Sequence, residues 1–69
     1  GSVTVIAKTC AEADAWATAL MVLGEEAGMA LANRHSVAVY MLVRADNDFQ
    51  ALSSEAFINY VKQTEQSAL

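Results

Sequence analysis

Apolar and polar positions change their spacing repeatedly along this chain, and each change marks an element. From Val3 to Ala7 the residues Val3, Val5 and Ala7 alternate with Thr4 and Ile6. This β-branched run predicts a strand. Thr9-Cys10-Ala11-Glu12 then has the T-x-x-E spacing of a capping box and predicts a helix start. Between Cys10 and Leu23 there is no glycine or proline, and Ala13, Trp16, Ala17, Leu20 and Leu23 fall on one side of a helix. Gly24 ends that pattern. Glu25 and Glu26 place two acids in the first turn of a second helix, where they favour its dipole; it is expected to run to about Asn33 and to end near Arg34-His35. Gly28 inside it either weakens the helix by about 1 kcal/mol relative to alanine or lets another backbone come close.

Val37 to Val43 is an unbroken apolar run and predicts a strand covered on both faces. Ala45-Asp46-Asn47-Asp48 has turn chemistry, Phe49 to Leu52 reads as a short return strand, and Ser53 or Ser54 caps a last helix. That helix carries Ala56, Phe57, Tyr60 and Val61 and is expected to fray from Gln63. The order is strand, helix, helix, strand, strand, helix. The class is α+β, with a small mixed or antiparallel sheet of about three strands packed with about three helices. So few helices give little cover for a strand buried on both faces, so the chain is expected to be part of a larger α+β body.

Composition sharpens this picture. Of the 69 residues 55% are apolar and 17% charged, which excludes disorder. The most apolar stretch, Ala13 to Gly24, is interrupted by Asp14 and Thr18 and falls well short of the roughly 20 residues of a membrane span. Mean hydropathy is +0.29, and Cys10, expected as a small core residue, is the only cysteine, so no disulfide staples the fold. The excess apolar surface therefore belongs to a partner, to a second copy, or, as favoured here, to the rest of a longer chain. Eight acids against four bases give a net charge of −4, which argues against a nucleic-acid partner. Residues 1–8 lack the basic and apolar regions of a secretory signal.

The constellation that carries chemistry is Asp14 with Thr18. They stand four residues apart on an alanine-rich helix, one turn above the other, and are the only polar residues between Glu12 and Gly24. A carboxylate and a hydroxyl are hard oxygen donors suited to Mg²⁺ or Ca²⁺. Spacing leaves a second reading open, in which Asp14 favours the helix start and Thr18 bonds back to a carbonyl of the preceding turn. Other candidates carry less. Asn33, Arg34 and His35 are able to face an anion or simply to end a helix. Asp46 and Asp48 resemble the start of a calcium loop, but Ala51 and Phe57 stand where glycine and glutamate are required, which excludes an EF-hand. Ser53 and Ser54 have no base at a recognisable spacing. Trp16, Tyr40, Phe49, Phe57 and Tyr60 read as core aromatics.

The runs Ser2-Val3-Thr4-Val5-Ile6-Ala7 and Ala13-Asp14-Ala15-Trp16-Ala17-Thr18-Ala19-Leu20, then Val22-Leu23-Gly24 with Glu26 and Gly28, and finally Ser53-Ser54-Glu55-Ala56-Phe57, resemble the C-terminal part of one family. It is the ApbE family of FAD:protein FMN transferases, formerly labelled thiamine biosynthesis lipoproteins. Lys8 departs from the proline of many members, and Trp16 from their leucine or methionine; neither touches the candidate pair.

The resemblance implies that residues 1–69 are the C-terminal segment of a larger flavin transferase domain. It implies FAD as substrate, Mg²⁺ as cofactor, AMP as leaving group, and an acceptor flavoprotein whose threonine hydroxyl receives FMN. It carries metal ligation over to Asp14 and Thr18, with the catalytic base and flavin pocket outside these residues. It also implies a bacterial periplasmic location through an inner-membrane lipoprotein anchor. Two alternatives stand beside it: an FAD pyrophosphatase that yields FMN and AMP without an acceptor, and a non-catalytic module that uses its apolar surface to form a homo-oligomer.

Overall fold

A computed structural model describes residues 1–67, with Ser67 described by its backbone alone. The elements are β1 (Ser2–Ile6), α1 (Cys10–Leu23), α2 (Glu25–Arg34), β2 (Ala38–Ala45), β3 (Asp48–Ser53) and α3 (Glu55–Ser67). This is the α+β order expected from the pattern. The sheet is antiparallel throughout, in the order β1-β2-β3, so the apolar β2 lies at its centre.

Register decides which side chains meet. Val3 stands opposite Met41 and Val5 opposite Val39, while Met41 faces Leu52 on the other side. Because opposed residues share a face, Val3, Val5, Val39, Met41, Val43 and Leu52 form one surface of the sheet. Against it pack Leu20 of α1 and Ala32 of α2, which with Val39 and Met41 make the buried core. The opposite surface takes α3, where the Phe57 and Tyr40 rings lie 5.4 Å apart. Two-sided burial of β2 therefore holds at Ala38 to Met41 and fades toward Arg44 and Ala45, which are exposed.

Backbone geometry explains the turns. Gly24 sits at φ +85°, ψ 176°, a conformation all but closed to side chains, and serves as the last cap of α1 and the first of α2. Gly28 takes the second of its two readings: a Cβ there would lie 3.0 Å from Leu20 Cδ2 and 3.6 Å from Leu20 Cα, so its bareness lets α2 close on α1. α2 ends in a Schellman motif. The Val37 amide donates to the Ala32 carbonyl and the Ser36 amide to that of Asn33, with Ser36 left-handed at φ +56°.

One buried serine ties the last helix to the sheet. Ser54 Oγ accepts from the amides of Val39 at 2.8 Å and Phe57 at 3.3 Å, and donates to the Val37 carbonyl at 2.7 Å. Of the two serines offered as caps, Ser54 is the one used. Asn33 Oδ1 accepts from the Glu55 amide and supplies a further cap from α2.

Some expectations give way. α3 continues past Gln63 to Ser67, since nothing in Gln63-Thr64-Glu65-Gln66 breaks a helix; Ala68 and Leu69 lie outside the described residues. Leu23 is 45% exposed because α1 ends before its last turn reaches cover. Cys10 is exposed at the mouth of α1, and Phe49 and Tyr60 lie outside the core. No helix of the described residues is long and apolar enough to cross a membrane.

Candidate functional site

Thr9 starts α1 as the spacing requires, its hydroxyl accepting from the Glu12 amide at 3.1 Å. The helix phase set there turns the Trp16 and Leu20 side toward the core and leaves Asp14 and Thr18 exposed on the other. The two residues line an open depression with Ala11, Ala15 and Ala19. These alanines end at Cβ, so no neighbouring side chain on the helix crowds the oxygens.

Thr18 Oγ1 donates to the Asp14 carbonyl at 2.9 Å. The back-bond read from the spacing is therefore real, and it is compatible with ligation. The bond consumes the hydroxyl proton and fixes the rotamer, while the oxygen keeps lone-pair density. The Asp14 carboxylate has no side-chain donor upon it among the hydrogen bonds of the described residues. The chemistry of this donor pair fits a hard divalent cation, and it fills only part of the shell. Mg²⁺ takes six near-octahedral oxygens, and among the described residues no three His, Cys, Asp or Glu side chains gather at one point. The pair offers two oxygens toward such a shell.

The remaining candidates do not converge. The Asn33 side chain turns to α3, and His35 sits with its ring 5.8 Å from that of Trp16, so the Asn33-Arg34-His35 run builds no anion site. Asp46 occupies the β2–β3 hairpin at φ +55°, and Asp48 Oδ1 accepts from the neighbouring Phe49 amide. Ser54 is completely buried, its oxygen committed to the three bonds above. Reading the buried stripe of α1 missed what continues the Asp14–Thr18 face. Met21 and Val22, three and four residues beyond Thr18, are 76% and 81% exposed.

Residues 1–41 match the model of the ApbE family, a stretch that includes both Asp14 and Thr18. The chain belongs to the ApbE family. Among curated ApbE relatives, an FAD:protein FMN transferase of Vibrio cholerae is 48% identical over 56 residues, covering 81% of this chain and 17% of that protein. One from Escherichia coli K12 is 45% identical over 60 residues, covering 87% of this chain and 17% of that protein. The crystal structure of the Pseudomonas stutzeri flavinyl transferase ApbE in its apo form superposes with a TM-score of 0.80 at 47% identity, over 83% of this chain and 18% of that one. The flavin transferase ApbE of V. cholerae gives 0.79 at 46% identity. The chain thus spans less than a fifth of the length of the curated relatives it matches.

Proposed function

We propose that this chain is the C-terminal segment of an Mg²⁺-dependent FAD:protein FMN transferase. The observation that carries this is the family match across α1, together with the outward oxygen pair Asp14 and Thr18 within the matched residues. The reaction cleaves the pyrophosphate of FAD, forms a phosphoester between the FMN phosphorus and a threonine oxygen of an acceptor protein, and releases AMP. The acceptor hydroxyl proton passes to a base outside these residues. Asp14 offers a carboxylate, and Thr18 an oxygen oriented by its bond to the Asp14 carbonyl. A divalent cation, when bound there, supplies charge neutralisation at the pyrophosphate oxygens, the main demand of phosphoryl transfer. The alanines beside the pair leave room for a polyphosphate to approach.

The test uses the full-length protein. The intact mass of an acceptor protein is measured after incubation with FAD and Mg²⁺, comparing Asp14 with Asp14→Ala. An FMN adduct that requires both Asp14 and the metal supports the proposal. An adduct formed equally without Asp14 removes the metal role; FMN and AMP released with no adduct point to a pyrophosphatase. A periplasmic lipoprotein location is proposed from family resemblance alone, and incorporation of labelled palmitate into the full-length protein tests it.

A further inference from the structure

A groove of about 480 Å³ opens where the residues leaving β1 come beside α3. Lys8 lines it from the first, Asn59, Tyr60 and Gln63 line it from the second, and Ala38 is the most buried residue of its wall. It shares no lining residue with the depression at Asp14 and Thr18. Lys8 is its only ionised side chain, so in a chain of net charge −4 this groove presents a positive charge and no acid. Among the hydrogen bonds of the described residues, none is made by the side chains of Lys8, Asn59, Tyr60 or Gln63. Four polar side chains thus line one groove with their bonding capacity uncommitted to the protein.

Spacing narrows the ligand. Asn59 and Gln63 stand four residues apart on α3, so their carboxamides recur at about 6 Å along the helix. In an extended chain the peptide groups along one edge recur every second residue, at about 6.6 Å. A carboxamide offers a carbonyl acceptor and N–H donors, the same pair that a peptide group presents. Two carboxamides so spaced therefore match successive peptide groups on one edge of an extended segment, and the Lys8 ammonium beside them suits a carboxylate.

We propose that this groove binds an extended acidic segment of the acceptor protein, with Asn59 and Gln63 bonding its backbone and Lys8 pairing with an aspartate or glutamate side chain. A transferase whose substrate is a protein has to hold that protein as well as its nucleotide, and an acidic segment is drawn to the one groove here that is positive and is kept from the carboxylate at Asp14. That the segment belongs to the acceptor rests on the proposed function; that the groove takes an acidic peptide does not.

The experiment measures, by fluorescence anisotropy with the full-length protein and neither FAD nor Mg²⁺ added, the binding of a labelled decapeptide of alternating glutamate and alanine. The same peptide with glutamine in place of glutamate is the control. The glutamate peptide is expected to bind about tenfold tighter than the glutamine peptide, and Lys8→Glu to remove that difference. Asn59→Ala combined with Gln63→Ala is expected to weaken both peptides by a similar factor. All three positions are exposed, so both variants are expected to keep the wild-type Tm. Absence of binding by the wild type, equal affinity for the two peptides, or a preference that survives Lys8→Glu overturns the proposal. FMN transfer supplies a separate arm, in which Lys8→Glu is expected to raise the KM for the acceptor protein about tenfold with kcat unchanged. Peptide binding as expected with an unchanged acceptor KM overturns the assignment of the segment to the acceptor. No transfer by the wild type, with peptide binding intact, is a failure of the transferase reading and not of the groove.

Discussion

Thr18 and Ser54 both bond through a side-chain oxygen to backbone, and their surroundings give them opposite consequences. Thr18 is exposed, and its bond to the Asp14 carbonyl costs little to lose. Thr18→Val is therefore expected to change unfolding free energy by less than about 0.5 kcal/mol. The same change in the full-length protein is expected to weaken Mg²⁺ on the order of tenfold or more in a calorimetric titration, since even residues one shell further out have effects of that size. Thr18→Ser, which keeps the oxygen, is expected to retain most of the affinity. Ser54 is buried and serves two amides and a carbonyl. Ser54→Ala leaves the Val39 amide and the Val37 carbonyl without that partner, and urea unfolding of the full-length protein is expected to show a loss of about 3 kcal/mol. Spacing made Thr18 legible, because four residues is one helical turn. The role of Ser54 was legible only as a helix cap, because its other two bonds reach Val39 of β2 and Val37 just before it, fifteen and seventeen residues away in sequence.

At the scale of elements, the boundaries that follow local chemistry were readable and those set elsewhere were not. The Thr9 cap and the Gly24 stop bracket α1 from Cys10 to Leu23 as expected. The end of α2 carries no glycine, so its Schellman closure was hidden: Ser36 takes the left-handed position that glycine usually fills. Ser36→Gly relieves that backbone and is expected to raise the unfolding midpoint, by about 1 kcal/mol in free energy, measured by denaturant titration. An unchanged or lowered midpoint would mean that the Ser36 conformation carries no strain. Leu23 was misplaced for a different reason. Helical periodicity assumes that cover extends along the whole helix, and here no described residue buries the last turn of α1, where Leu23 is 45% exposed.

For the whole molecule, the core is small relative to the apolar content. Leu20, Ala32, Ala38, Val39 and Met41 are the buried hydrophobic residues, while Met21, Val22, Phe49, Ile58, Tyr60 and Val61 lie open. That imbalance was visible in composition, which pointed to a larger body before any contact was known. It could not say where the missing surface attaches, because attachment depends on helix phase and sheet register together. The candidate pair follows the same rule: the donor types and their spacing were legible, and no third carboxylate, imidazole or thiol of the described residues joins them. The isolated 69-residue chain is accordingly expected to show no FMN transfer by intact mass and only weak Mg²⁺ binding by calorimetry. Transfer by the isolated chain would show that it holds a complete catalytic site.

β2 has a strand on each side, whereas β1 and β3 each have a strand on one side only among the described residues. β1 reads Ser2-Val3-Thr4-Val5-Ile6, without a charge, a proline or a bulge to deter pairing. Cut free of its surroundings by a protease, a chain built this way would offer that uncharged edge to any other extended chain, including its own copies. The strand that holds Val3 and Val5 against the core would then become the template on which such copies stack.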